Sequence, residues 1–370
     1  MTVLSKVGPV WAASTDNRQL LAPDLCLSRL TPDGPSGTIR GMNLRARLNF
    51  AATFALVVIF SGIAHDSGAA ARQGRDPTAP AVSAQDAGRS LTRPAIVGVA
   101  HIGLKTDDLA AARNFYSQML GFQEPFTVNK PTGGLMLTYF KVNDHQYIEV
   151  FPELKDPKED RLSHIAFETS DAKQLRDYLA SRGVKVPQGD LRPELDGNLS
   201  FEVDDPDGHI VEFVQYLPGS LHSRNFGKFL PEAPISQRMI HVGVVVRDQA
   251  AADCFYKDVL GFRSIWYGGM TDTETDWVDM RVPEGTDWLE YMLNVRNPSV
   301  RTLGVMHHMA LGVPSVAAAY KIVVERGLKP EKPQIGRDGK WQLNLYDPNS
   351  TRVELMEPKP VRTPCCSPIL

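Results

Sequence analysis

The chain has 370 residues, enough for two or three domains with sizeable cores. Its 40 basic and 43 acidic residues leave a formal net charge of -3, and no basic run interleaves with aromatics, which argues against nucleic acid as a partner. The four cysteines, Cys26, Cys254, Cys365 and Cys366, match neither a disulfide framework nor a zinc-knuckle spacing.

In chain order, residues 1–41 lack apolar periodicity and read as an over-extended N-terminus or a disordered segment, with Met42 as the start. Residues 42–71 have the form of a bacterial signal peptide: Arg45 and Arg47, an apolar stretch from Ala51 to Ser61, then the small residues Ala69-Ala70-Ala71. Export to the periplasm or medium is therefore expected, with no membrane contact after cleavage. The alternative is an uncleaved membrane anchor from Leu48 to Ala64, which falls short of the about 20 residues a span needs. Residues 72–93, rich in Ala, Pro, Ser, Gln and Asp, read as a linker.

Beyond residue 94 a pattern of strand, helix and three strands is expected to recur four times. The first strand is predicted over Ile96 to Lys105, with Val99, His101 and Gly103 on one face. Thr106 or Asp107 caps a helix carrying Leu109, Ala112, Phe115 or Tyr116, and Met119 at helical spacing, and Gly121 ends it. Strands follow around Leu135–Val142 and Gln146–Phe151, where Tyr147, Glu149 and Phe151 share a face. The second module runs from a strand at Ser163–Thr169 through a helix at about Asp171–Arg182 to strands at Leu199–Val203 and Ile210–Tyr216. On the last of these, Ile210, Glu212 and Val214 share a face. After a linker at 218–237, strands at Ile240–Val246 and Leu289–Leu293 frame the third module. His308–Val313 and Arg352–Met356 frame the fourth, and 359–370 form a tail. Cys254, beside Phe255 on an apolar helix, reads as a core residue rather than a nucleophile.

The repetition itself carries the chemistry. Phe115-Tyr116-Ser-Gln-Met-Leu120-Gly121-Phe122 returns as Phe255-Tyr256-Lys-Asp-Val-Leu260-Gly261-Phe262. Arg182-Gly183-Val184-Lys185 returns as Arg326-Gly327-Leu328-Lys329, and the turn Asp205-Pro206-Asp207-Gly208 as Asp347-Pro348-Asn349-Ser350. The order is A-B-A-B, so a two-module unit has been duplicated. Each module offers a histidine on its first strand and, 46 to 49 residues later, a glutamate on its last: His101 and Glu149, His164 and Glu212, His241 and Glu290, His308 and Glu354. Imidazole and carboxylate together are the donors of a mononuclear divalent-metal site. His307 would face away from His308 and is expected to be structural. The short spacer within the first half, Pro152 to Asp160, against the longer Leu217 to Gln237 stretch between halves, favours pairing of modules 1 with 2 and 3 with 4 over pairing across halves.

This pattern resembles the vicinal oxygen chelate superfamily, whose members include glyoxalase I, extradiol dioxygenases and bleomycin-resistance proteins. The resemblance covers residues 96–358 and implies an α+β fold of four βαβββ modules, paired into two glyoxalase-like domains with curled mixed sheets at 94–217 and 238–358. It also implies a divalent ion (Fe, Mn, Ni, Co or Zn) on His101, Glu149, His164 and Glu212, and on His241, Glu290, His308 and Glu354. The partner would be a small-molecule substrate with vicinal oxygens, and the chain a monomer or homodimer. A full quartet of two His and two Glu points to a glyoxalase-like lyase or isomerase working through a metal-stabilised enediolate, with one glutamate, such as Glu212 or Glu354, doubling as base. An extradiol ring-cleaving dioxygenase is the alternative, weakened because Asn344 and Glu202 stand where that family places tyrosine and no histidine occurs in Gly336–Lys340. A non-catalytic binding protein is a second alternative, against which the complete quartets argue.

Overall fold

The fold is described from a computed structural model covering residues 91–230 and 233–370. The expected leader, residues 1–41, and the export segment, residues 42–71, lie outside the described residues, as does most of the linker after them. Among the described residues, no helix is long and apolar enough to cross a membrane.

Two curled mixed sheets with helices on their outer faces make up an α+β fold. The first module comprises β1 (Ile96–Lys105), helix α1 (Leu109–Arg113), β2 (Thr127–Asn129), β3 (Leu135–Lys141) and β4 (Tyr147–Phe151). The second comprises β5 (Leu162–Thr169), α2 (Ala172–Ser181), β6 (Leu199–Asp204) and β7 (Ile210–Gln215), followed by the short helix α3 (Leu221–Arg224). The third holds β8 (Met239–Val245), α4 (Gln249–Ala252), β9 (Arg263–Gly268), β10 (Trp277–Arg281) and β11 (Trp288–Met292). After α5 (Val300–Met306), the fourth holds β12 (His308–Gly312), α6 (Val316–Glu325), β13 (Gln334–Ile335), β14 (Trp341–Tyr346) and β15 (Arg352–Met356). The sheet orders are β2-β3-β4-β1-β5-β7-β6 and β13-β14-β15-β12-β8-β11-β10-β9. Modules therefore pair within halves, through β1 against β5 and β8 against β12, both antiparallel.

Three local expectations need correction. The second module has only two strands after its helix, since the segment before Leu199 carries Pro187 and Pro193, which cannot donate to a ladder. Val99 does not share a face with His101: the β1–β5 register shifts between them, and Val99 joins the main core with Ile102 and Leu104. The helices after β1 and β8 are capped by Asp108 and Asp248 and widen within two turns into π-helical segments at Asn114–Met119 and Asp253–Val259. Gly121 and Gly261 follow with φ of 83° and 84°, as a left-handed helix exit requires.

The two halves are laced together by the repeated motifs. Tyr116 of module 1 donates to Asp347 in the turn of module 4 at 3.0 Å, and Tyr256 of module 3 donates to Asp205 in the turn of module 2 at 2.9 Å. Sheets pair modules within halves, while these tyrosines pair them across halves. Gln146 adds two bonds to the Met239 backbone, both 2.8 Å. The tail is folded: Val361 and Cys365 donate to Gly339 and Arg337 beside β13–β14, and Leu370 donates to Ile265 on β9. It thus ties together the two edges of the second sheet. Cys365 and Cys366 are joined to each other, and Cys254 is buried as expected but is not a free thiol.

Candidate metal centres

Each curled sheet turns its middle strands inward, and the alternation of strand side chains delivers one donor per module to the concave face. In the first half, His101 on β1 and His164 on β5 meet with their Nε2 atoms 2.9 Å apart. Glu149 on β4 lies 3.4 Å from both imidazoles, and Glu212 on β7 lies 3.2 Å from His101 and 3.3 Å from His164. Ligands at about 2.1 Å from one ion are about 3.0 Å apart at right angles and about 3.4 Å apart in a tetrahedron, so these spacings fit a single cation. All four predicted donors of this half are brought together.

A close backbone approach makes the convergence possible. Gly103 lies under the His164 ring, and a Cβ there would stand 2.4 Å from His164 Cε1. Gly243 repeats this under His308, at 2.1 Å. The His-x-Gly spacing on β1 and β8 thus leaves room for the neighbouring strand's imidazole.

The four donors of the first half line a cavity of about 660 Å³. Its walls include Val128, Leu137, Phe151 and Tyr216, and its mouth carries Asp190, Glu194, Asp196 and Glu202. Burial lowers the His101 pKa, but Glu149 and Glu212 outweigh it and raise the imidazole to about 9. Burial likewise raises Glu212, and His101 and His164 overcome it, holding the carboxyl at about 2. These opposed shifts have one cause, the attraction between the His101 imidazole and the carboxylates packed against it. Two further residues join the site without having been expected. Tyr139, on β3 opposite Glu149, has its hydroxyl pushed well up by burial and by the neighbouring Glu149. His222 comes from α3, inside the segment read as a linker, and reaches the cavity because buried Lys141 anchors that segment through the Asn225 and Lys228 carbonyls. Its Nδ1 lies 2.8 Å from the Asn198 amide and 3.3 Å from Asp196, while Nε2 is buried without a hydrogen-bond partner. Tyr147 and Tyr216 flank the ring at 4.5 and 4.8 Å.

The second quartet converges less closely. His241 and His308 are 3.1 Å apart, and Glu290 lies 3.1 Å from His308 but 3.8 Å from His241. Glu354 is 3.7 and 3.8 Å from the two rings. A guanidinium enters this cluster: Arg352 Nη2 is 2.7 Å from His308 Nε2 and 3.9 Å from Glu290. Asp279 replaces Tyr139 opposite the third module's glutamate, and Lys340 stacks on Trp288 at 5.0 Å. Burial, reinforced for His308 by Arg352, drives both histidines well below the usual imidazole range. Burial raises Glu354 to about 7, with Glu290 adding to the effect against Arg352. As expected, His307 turns away from His308, and it pairs with Asp160 at 2.8 Å.

Comparison with known proteins agrees with this geometry. The family described as Glyoxalase/Bleomycin resistance protein/Dioxygenase superfamily matches residues 98–213 and 238–355. The biphenyl-2,3-diol 1,2-dioxygenase of Paraburkholderia xenovorans (strain LB400) is 27% identical over 242 residues, covering 60% of this chain and 72% of that protein. Among solved structures, the 2,3-dioxygenase LapB from Pseudomonas sp. KL28 superposes with a TM-score of 0.56 at 16% identity, over 74% of this chain and 97% of its own. The Mn(II)-bound glyoxalase from Novosphingobium aromaticivorans gives 0.53 at 17% identity, over 71% and 83%. At such identities the superpositions speak to the fold alone. With both halves matched by the family, and with two curled sheets that each carry a His/Glu cluster on the concave face, the chain belongs to the glyoxalase/bleomycin resistance protein/dioxygenase superfamily.

Proposed function

We propose that this protein is a divalent-metal-dependent enzyme acting on a small molecule with two neighbouring oxygens, with its centre in the first half. The observation that carries the reading is the quartet His101, Glu149, His164 and Glu212, spaced 2.9 to 3.4 Å and lining a cavity of about 660 Å³. A bound ion would supply Lewis-acid stabilisation of negative charge developing on the substrate oxygens. The remaining work belongs to the chain. His101 and His164 hold the centre from two strands, and Tyr139 braces Glu149. Glu212, with 14% of its side chain exposed against 6% for Glu149, is the carboxylate placed to take a proton from a carbon next to a carbonyl. The apolar wall of Val128, Leu137 and Phe151 keeps water from that carbon. This is lyase or isomerase chemistry.

A second reading, ring cleavage by dioxygen, is favoured by the biphenyl-2,3-diol dioxygenases among the relatives. Under it His222, fixed at Nδ1 and open at Nε2, is the group placed to exchange a proton with a substrate oxygen. The proposed setting is outside the cytoplasm, on the strength of residues 42–71 alone.

Metal content of anaerobically purified protein, with and without His101→Ala/His164→Ala, is the first test. Oxygen uptake with 2,3-dihydroxybiphenyl and deuterium wash-in next to the carbonyl of an α-hydroxyketone then separate the reactions. Wash-in without oxygen uptake supports the lyase or isomerase, and uptake supports the dioxygenase. Absence of metal after reconstitution with Fe(II), Mn(II), Ni(II), Co(II) and Zn(II) overturns both.

A further inference from the structure

The two quartets descend from one duplicated unit, yet one strand position places a cation beside the second and not the first. On the last strand of each module, the residue two before the glutamate shares its face: Tyr147, Ile210, Trp288 and Arg352. Only the fourth is charged, and its guanidinium reaches into the cluster. His308 Nδ1 donates to the Met306 carbonyl at 2.8 Å, which leaves its lone pair on Nε2. Arg352 Nη2 donates to that lone pair at 2.7 Å. A metal would need the same electrons, and an imidazole nitrogen has one lone pair to give. The glutamates are spread to match: three of the four His–Glu distances here are 3.7 to 3.8 Å, whereas none in the first quartet exceeds 3.4 Å. The side chain is largely enclosed, since Arg352 is only 14% exposed and stands on β15, a strand paired on both sides by β14 and β12.

We infer that the second quartet does not take a divalent metal, because the guanidinium of Arg352 occupies the position of the ion, and that the chain binds one ion rather than two. The count of one rests on the first quartet being the metal centre; the exclusion from the second does not. The arrangement turns a duplicated metal site into an internal ion cluster, with Arg352 supplying the positive charge that Glu290 and Glu354 would otherwise find in a metal.

Titration of the full-length protein with Co(II) under nitrogen tests this, with bound metal counted by mass spectrometry and the visible Co(II) spectrum recorded. The expected result is one equivalent in the parent, none in His101→Ala/His164→Ala and one in His241→Ala/His308→Ala. Arg352→Ile, which installs the residue found at position 210, is expected to bind one equivalent more than the parent, with a second set of Co(II) bands. Arg352→Met, which keeps the apolar stem, serves if the isoleucine variant does not fold. Two equivalents in the parent, or a single ion lost with His241 and His308, would overturn the inference, as would a folded Arg352 variant that gains no metal. If the parent binds none, the functional reading above fails. The Arg352 variants then decide the present inference alone: a gained equivalent supports it and no gain rejects it.

Discussion

At the scale of single residues, the two His/Glu clusters were legible because the repeat supplies one histidine and one glutamate per module, four times over. His101, His164, His241 and His308 begin equivalent strands, and a carboxylate follows each on the strand that closes its module. Arg352 was not legible as part of the site: the alternation that places Ile210 beside Glu212 also puts it on the face of Glu354, but a charged residue at a strand end reads as solvent-facing until its partners are known. His222 gave no signal, because it sits in a stretch without periodicity and reaches the cavity through the Lys141 anchor, a contact between residues 84 apart in the chain. Gly103 and Gly243 offer a direct test of the asymmetry between halves. A methyl at Gly103 collides with His164 Cε1 at 2.4 Å, so Gly103→Ala must displace a donor imidazole. We expect at least a tenfold loss of metal affinity, with a stability cost of about 1 to 3 kcal/mol from overpacking. Gly243→Ala displaces His308 equally, yet it should leave bound metal unchanged. Co(II) titration alongside thermal melts of the two variants checks both outcomes, and equal losses of metal would refute the asymmetry.

At the scale of elements, most strands fell where Val, Ile and aromatic runs placed them, and β1 and β15 match their predicted ends. What single-strand alternation could not reveal is the β1 bulge that turns Val99 to the core, since a bulge depends on the partner strand. The Asp-Pro turns read correctly as turns, but their tertiary role was invisible: each aspartate accepts a tyrosine hydroxyl from the opposite half. The two aspartates differ in one neighbour. Burial raises Asp205, but His209 at 2.9 Å outweighs it and holds the carboxyl below its usual range. Asp347 has Thr351 in place of that histidine, and burial pushes it from 3.8 up to about 6. A carboxyl whose folded value lies above its unfolded one binds more protons when folded, so stability is highest below pH 4 for this group and falls as pH rises through about 6. The loss corresponds to about 3 kcal/mol, on an order-of-magnitude basis. Asp347→Asn keeps an oxygen for the Asn349 and Thr351 amides and turns its NH2 toward the Tyr116 oxygen as a donor, while removing the charge. Urea unfolding at pH 5 and pH 8 should therefore show a smaller drop in the variant than in the parent. An unchanged drop would assign the pH dependence elsewhere.

At the scale of the whole molecule, duplication has produced one open centre and one filled with its own cation, and the open one sits in a negative field. Its cavity is lined by Asp190, Glu194, Asp196 and Glu202 in addition to Glu149 and Glu212, against a single guanidinium, Arg192, among the described lining residues. Burial raises Glu194 and Glu202, and nearby carboxylates, Glu212 among them, push each further up. Two charges on a metal would offset two of these acids and leave the mouth negative. A substrate bringing its own carboxylate would therefore be disfavoured, whereas an uncharged vicinal diol or hydroxycarbonyl would meet aromatic and aliphatic walls without penalty. The pair 4-methylcatechol and 3,4-dihydroxybenzoate isolates this effect, since both present two neighbouring oxygens and only the second bears a carboxylate. Calorimetry on the metal-loaded protein should give at least tenfold tighter binding of 4-methylcatechol, with the gap narrowing at high salt as surface charge is screened. Glu202→Gln, which removes a mouth charge without touching the quartet, should narrow it further at low salt. Equal affinities for the two ligands, or a gap that neither salt nor this substitution alters, would mean that shape rather than charge selects the substrate.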